Sequence, residues 1–155
     1  MLPADIPTMK AKSIHCIAVL GLGLALGQAA DPVRERVAKG VATELPLLVS
    51  LYKHFHANPE LSFMEVETAK RLAAELRAAG LTVTTGIGGH GIVGILKNGP
   101  GPTLLIRADM DGLPVQEETG LPYASKKQMV DEQGNTVYTM HACGHDVHIT
   151  SFVGT

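Results

Sequence analysis

The apolar run at residues 103–108 (TLLIRA) constrains the fold more than any other segment of the chain. Three consecutive large aliphatic side chains in so short a run predict a β-strand that is buried on both faces, as in a sheet covered by helices. Two helical patterns precede it, and the 17 glycines favour a turn-rich protein over a helical bundle. We therefore expect an α/β domain built from layers of helix and sheet.

Two helices are predicted before this strand. Aliphatic side chains recur at helical spacing through residues 31–57, and Pro46 is expected to kink or split that helix. The second helix is expected to begin at a capping box formed by Ser62 and Glu65. Gly80 is the expected left-handed residue at its end.

Further strands are predicted on either side of the apolar run. Short β-branched or apolar segments at 81–85 and 91–96 precede it. A hairpin is expected over 126–140, with the polar segment 131–135 (DEQGN) as its tip. This hairpin would return the chain to a cluster of histidine and cysteine at 141–148.

The first 30 residues are predicted to be a signal peptide and not part of the fold. A basic start is followed by an apolar run at 14–26 that is short for a membrane span. Small residues follow, so cleavage is expected after Ala29 or Ala30. The alternative is an uncleaved anchor or a buried helix. A cleaved signal peptide predicts that the protein is secreted or periplasmic and that it is not attached to a membrane after cleavage.

If the signal peptide is removed, one of the two cysteines stays in the mature protein. Cys16 lies in the predicted signal peptide and would be removed with it. Cys143 alone cannot form an internal disulfide. In an oxidising compartment a single thiol needs protection by a metal or by burial.

The overall charge argues against a nucleic-acid partner. The net charge is −2, so the chain offers no basic excess to neutralise phosphates. Aromatic residues make up only 4% of the chain and include no tryptophan, which also makes base-stacking platforms improbable.

A candidate metal site lies at residues 141–148 (HACGHDVH). Thiolate and imidazole are ligands that suit zinc and similar transition metals. Cys143 and His145 are separated by one glycine, so in an extended segment both would point to the same side. His141 and His148 are accessory candidates, as orienting groups or substrate contacts. The alternative chemistry, a Cys143 nucleophile activated by His145, is disfavoured because such pairs normally meet across a fold.

Two aspartates are candidates for the same site. Asp109 and Asp111 directly follow the predicted buried strand, and sites in open α/β sheets form at the carboxyl ends of strands. A carboxylate there could orient a ligand, bind a metal or steer a water molecule. The alternative is an aspartate that caps a turn.

Other polar residues favour structural interpretations. His54 and His56 end the first predicted helix, where histidines often cap carbonyls or interact with the helix dipole. Glu117 and Glu118 are expected to be a solvated charged pair, with little contact to the site.

Three segments resemble one family of metallopeptidases. They are residues 56–62 (HANPELS), 107–114 (RADMDGLP) and 140–148 (MHACGHDVH). Their order and spacing resemble the amidohydrolase branch of the aminoacylase and carboxypeptidase-G metallopeptidases. That branch includes hippurate hydrolases, N-acyl-amino-acid amidohydrolases and auxin-conjugate hydrolases.

The resemblance implies the roles of four residues. Cys143 and His145 match metal ligands of the family, and Asp109 matches its catalytic aspartate. Arg107 stands where the wider family has a histidine ligand, which makes the Cys143–His145 pair more necessary. The implied cofactor is two divalent metal ions, and zinc, manganese, nickel and cobalt are not distinguished by two ligands.

The resemblance also implies an architecture and a reaction. Residues 31–155 would be the N-terminal part of a three-layer catalytic domain of the zinc-peptidase type, with an incomplete sheet. An inserted lid domain, through which a homodimer could form, would lie elsewhere in the protein. A hydroxide held by two metal ions would hydrolyse the amide bond of an N-acyl amino acid or a similar peptide-like substrate.

The remaining family ligands and the catalytic glutamate are expected beyond the position that matches Thr155. Two protein ligands are too few for a catalytic zinc ion. We therefore expect the 155-residue chain alone to be inactive. We also expect it to be poorly stable, because it would expose a strand edge and an apolar face to solvent. The alternative is a non-catalytic metal-binding or interaction module derived from the same fold.

Overall fold

The computed structural model describes residues 31–155, so the predicted signal peptide lies outside the described residues. The mixed helix-and-strand class is confirmed for this part of the chain. Its elements are, in chain order, α1 (Pro32–Ala57), α2 (Val66–Ala78), β1 (Thr82–Ile87), β2 (Gly91–Ile95), β3 (Gln128–Val130), β4 (Thr136–Tyr138) and α3 (His145–Val153).

Helix α1 continues without a break through Pro46, so this proline does not split the helix, and a kink there stays a prediction. Proline cannot donate the hydrogen bond that the carbonyl of Ala42 would otherwise accept. Ala42 is exposed, so water can satisfy that carbonyl. The first half of the helix lies on the surface, and only Leu51 and Phe55 near its end enter the core.

Helix α2 begins later than predicted, and the capping box is wrong. Phe63 has φ +63°, which is incompatible with a first helical residue, and Glu65 becomes the N-cap without a side-chain hydrogen bond. The buried carboxylate of Glu60 instead accepts the Thr68 amide at 2.8 Å. Gly80 ends the helix at φ +89°, as predicted.

The strands form two antiparallel pairs within residues 31–155. β1 pairs with β2, and β3 pairs with β4. The β3–β4 hairpin is confirmed, and Asp131 shapes its tip by accepting the amides of Gln133 and Asn135.

The predicted buried strand at 103–108 is not formed. Leu104 and Leu105 are 81% and 88% exposed. A strand needs a hydrogen-bonded neighbour, and neither of the two sheets extends to this segment. The expected exposed apolar face is therefore present among the described residues.

The core joins the three helices. Leu51 and Phe55 of α1, Leu72 of α2 and Ile149 of α3 form one buried cluster. Burying each such side chain contributes roughly 1.5–3 kcal/mol before entropic costs. Ala108 and Met110 also pack on this cluster, which holds the segment containing Asp109 and Asp111 against the helices. None of the described helices is long and apolar enough to cross a membrane.

Candidate metal centre

Backbone hydrogen bonds bring the three segments of the family pattern together. The Gly112 amide donates to the Glu60 carbonyl at 2.6 Å. Leu113 and Met140 exchange two backbone hydrogen bonds of 2.8 and 3.0 Å. A side chain at Gly112 would place its Cβ 2.8 Å from that of Pro59, so only glycine permits this approach.

The metal-ligand candidates lie in a turn that leads into α3, and the expected extended conformation is wrong. Cys143 is in the turn, and His145 is the first residue of the helix. Gly144 between them has φ +74°, a left-handed conformation that favours glycine. Backbone conformation therefore explains this glycine, since a Cβ there would have open space around it.

Asp111 fixes the orientation of the His145 ring. The Nδ1 atom of His145 lies 2.9 Å from both the backbone carbonyl and Oδ1 of Asp111. Both oxygens can only accept, so Nδ1 must carry the proton and donate. In the neutral ring, Nε2 then keeps its lone pair, which is the form of histidine that binds a metal.

Cys143 and His145 are both accessible. The Cys143 thiol is free and its residue exposed, and the His145 side chain is 18% exposed. Thiol and imidazole suit a borderline-soft divalent ion. Among residues 31–155, however, no group of three or more histidine, cysteine or acidic side chains is placed to hold a metal. The described residues therefore fit a part of a metal centre.

The two candidate aspartates have separate partners. Asp109 is half exposed and pairs with the Arg107 guanidinium at 2.5 Å. Asp111 carries the contact to His145. The sequence singled out both aspartates but did not predict which of them would meet the histidine.

A buried cluster of charged residues adjoins the start of α3. The Nδ1 atom of His56 donates to Asp146 at 2.7 Å, and its Nε2 atom donates to Glu117 at 3.0 Å. The Glu117 side chain is wholly buried, so the expectation of a solvated Glu117–Glu118 pair is wrong for Glu117. Glu118 is exposed, as predicted.

These contacts shift the pKa values of His56 and Glu117 in opposite directions. Burial lowers the pKa of the His56 imidazole, but the hydrogen bonds that it donates to Glu117 and Asp146 outweigh burial and leave the pKa raised. Burial raises the pKa of Glu117, but hydrogen bonds from Thr119, Ser125 and His56 outweigh it and leave the pKa lowered. Both shifts favour the charged pair. The described contacts of His56 with Asp146 and Glu117 replace the contact with helix carbonyls that the sequence suggested.

His141 is buried close to the candidate ligands Cys143 and His145. Neither of its ring nitrogens has a hydrogen-bond partner among the described residues. Burial lowers the pKa of this imidazole, which favours the neutral form. His148 is exposed, and its ring centroid lies 5.9 Å from that of His145.

Comparison with known proteins identifies the family. The model of peptidase family M20/M25/M40 matches residues 105–155. The chain is 50% identical over 99 residues to hippurate hydrolase of Campylobacter jejuni, covering 63% of this chain and 24% of that protein. The chain belongs to the M20 peptidase family. The resemblance predicted from the three segments is thereby confirmed.

Two further comparisons agree. N-acetylcysteine deacetylase of Bacillus subtilis is 42% identical over 114 residues, covering 70% of this chain and 27% of that protein. A dinuclear metal-binding M20 peptidase of Bacillus subtilis has a solved structure that superposes with a TM-score of 0.61 at 37% identity, covering 72% of this chain and 30% of that one. The chain spans about a quarter of the length of the curated relatives it matches.

Proposed function

We propose that this M20 chain supplies the Cys143–His145 pair of a metal centre that hydrolyses amide bonds. The observation that carries the proposal is the contact between Asp111 and His145 Nδ1, which leaves Nε2 available two residues along the chain from the exposed Cys143 thiol. Membership of a family of metal-dependent amide hydrolases supports it.

Each residue of the site has a defined task in this proposal. Cys143 and His145 bind the metal, and Asp111 holds the imidazole in its metal-binding tautomer. Asp109 is the catalytic carboxylate, and the Arg107 guanidinium pairs with it. A bound divalent ion supplies Lewis acidity toward the carbonyl of the scissile amide.

The proposed substrate is a small N-acyl amino acid or a similar peptide-like amide. The names of the relatives support this class, since they include a hippurate hydrolase and an N-acetylcysteine deacetylase. Two divalent ions are proposed as cofactors because the solved M20 neighbour is described as dinuclear. Thiolate and imidazole favour zinc or a neighbouring transition metal over magnesium or calcium.

We also propose that residues 31–155 alone do not catalyse the reaction. A catalytic zinc site normally has three protein ligands, and the described residues gather no such set. A measurable rate of N-acetyl-amino-acid hydrolysis by the purified 155-residue chain would contradict this.

Metal content tests the proposed ligand pair. We expect Cys143→Ser and His145→Gln each to lose most of the bound Zn²⁺ after dialysis against a fixed free concentration, because each substitution removes one of two donors. His90→Gln is the matched control, since His90 lies in the β1–β2 turn. Full Zn²⁺ occupancy in Cys143→Ser would contradict the assignment.

A non-catalytic metal-binding or interaction module remains a second candidate. The absence of a three-residue metal group among residues 31–155 favours it, as do the exposed Leu104 and Leu105. The coding sequence beyond codon 155 distinguishes the two. A downstream Glu-Glu pair followed by histidines supports the enzyme, and a stop codon supports the module.

Export is proposed from the sequence alone. Residues 1–30 have the basic start, apolar run and small residues of a signal peptide. N-terminal sequencing of the protein recovered from its native compartment should begin at residue 30 or 31. A cytoplasmic product that begins at residue 1 would contradict export.

A further inference from the structure

Hydrogen bonds satisfy both carboxylates in the buried cluster of His56, Glu117 and Asp146. Glu117 Oε1 accepts from His56 and from the Thr119 hydroxyl, and its Oε2 accepts from the Ser125 amide. Asp146 Oδ2 accepts from His56, and its Oδ1 accepts from the Val147 amide. Every carboxylate oxygen therefore has a donor, the condition under which buried charges are retained at acceptable cost.

The cluster joins three separate parts of the chain through one imidazole. His56 is in the last turn of α1, Glu117 is in the loop after Asp111, and Asp146 is in the first turn of α3. The side chains of His56, Glu117 and Asp146 are 9%, 0% and 2% exposed. Solvent therefore does not compete for these contacts.

Other groups around the imidazole reinforce its position. The Tyr52 hydroxyl lies 3.4 Å from Nδ1, and the Tyr123 ring packs edge-on at 5.3 Å between centroids. The Lys53 ammonium lies over the Tyr123 ring, 5.2 Å from its centroid. Buried His141 also acts electrostatically on this neighbourhood.

The placement of the cluster links it to the ligand pair. Asp146 is the residue after His145, and Glu117 follows Asp111 by six positions. Each member of the His145–Asp111 contact, which sets the ring tautomer, is therefore followed along the chain by a carboxylate of the cluster. Fixing both carboxylates to one imidazole fixes the helix start and the loop relative to each other.

We propose that His56, Glu117 and Asp146 form a positioning clamp that holds Cys143 and His145 in their metal-binding arrangement. The clamp rests on the proposed function, since it acts through the ligand pair and touches no metal itself. Its members are positioning residues: they set where the imidazole and thiol point. Outer groups of this kind commonly change metal affinity by about 10–100-fold.

Cobalt titration of the full chain tests the clamp. Co²⁺ bound by Cys143 gives a thiolate-to-metal charge-transfer band, whose growth reports affinity and whose position reports geometry. We expect His56→Gln to weaken Co²⁺ binding at least about tenfold and to shift the band. His54→Gln, two residues away on an exposed part of the same helix, should leave both unchanged.

The outcomes separate the clamp from the metal site. Equal Co²⁺ affinity and an equal band in the unaltered chain, His54→Gln and His56→Gln would overturn the clamp alone. No thiolate band in the unaltered chain would overturn the ligand pair, and the clamp with it.

If His56→Gln loses its helical circular dichroism, a measurement on the unaltered chain tests the clamp instead. Imidazole ¹⁵N resonances of the unaltered chain should show both His56 nitrogens protonated at neutral pH, and Zn²⁺ should shift them together with those of His145. His56 resonances that Zn²⁺ leaves unmoved would overturn the clamp.

Discussion

His145 shows what a single residue needs before it can bind a metal. The sequence predicted that its imidazole could bind a metal, but it did not predict that Asp111 would hydrogen bond to that ring. Asp111 meets the ring because it lies two residues before the Leu113–Met140 bridge, which brings it beside the turn before α3. Asp109 lies earlier in the chain, further from this bridge, and pairs with Arg107. That difference depends on long-range pairing, which local patterns do not encode.

Gly112 provides a prediction at the same scale. Gly112→Ala would bring a Cβ within 2.8 Å of Pro59 Cβ and 3.3 Å of the Met140 carbonyl. We expect a loss of about 1–3 kcal/mol in unfolding free energy, measured by urea denaturation, from overpacking where the segments meet.

Gly40→Ala is the matched control for this substitution. Gly40 lies on exposed helix α1, and a Cβ there has open space. It should stabilise by up to about 1 kcal/mol, because alanine favours helix. Equal effects of the two substitutions would contradict the close approach at Gly112.

The elements differ in how far local sequence determines them. The β3–β4 hairpin was predictable because Asp131 and the tip glycine act locally. The end of α2 was predictable for the same reason, since Gly80 needs no distant partner. The strand at 103–108 was not, because a strand depends on a neighbour that residues 31–155 do not supply. Helix α3 was missed because its start is set by Gly144 and its buried face by Ile149 packing on α1 and α2.

The start of α2 yields a prediction at the element scale. Glu60→Ala removes the carboxylate that accepts the Thr68 amide and pairs with Lys127 at 3.4 Å. Because this leaves a buried amide without an acceptor, we expect a loss of about 1–3 kcal/mol in unfolding free energy.

Ser62→Ala distinguishes this cap from the capping box that the sequence suggested. Ser62 is exposed and makes no cap hydrogen bond to α2. Its substitution should change the unfolding free energy by no more than about 0.5 kcal/mol. A larger loss of unfolding free energy in Ser62→Ala than in Glu60→Ala would support the capping box and contradict the role of Glu60.

At the scale of the whole molecule, three segments that are distant in the sequence lie together. Residues 56–62, 107–114 and 140–148 are connected by the bonds of Gly112, the Leu113–Met140 bridge and the His56–Asp146 contact. Their sequence resemblance predicted the family, which the comparisons confirm. It could not predict the buried role of Glu117, because a charged pair after a loop proline gives no local sign of burial. The ligand roles of Cys143 and His145 stay predictions.

X-ray absorption at the zinc edge tests those roles most directly, on the chain loaded with one equivalent of Zn²⁺. We expect one sulfur scatterer at about 2.3 Å and at least one imidazole nitrogen at about 2.0–2.1 Å. The sulfur contribution should vanish in Cys143→Ser, and the imidazole contribution should fall in His145→Gln. A zinc shell of oxygen and nitrogen alone in the unaltered chain would contradict the proposal that Cys143 binds the metal.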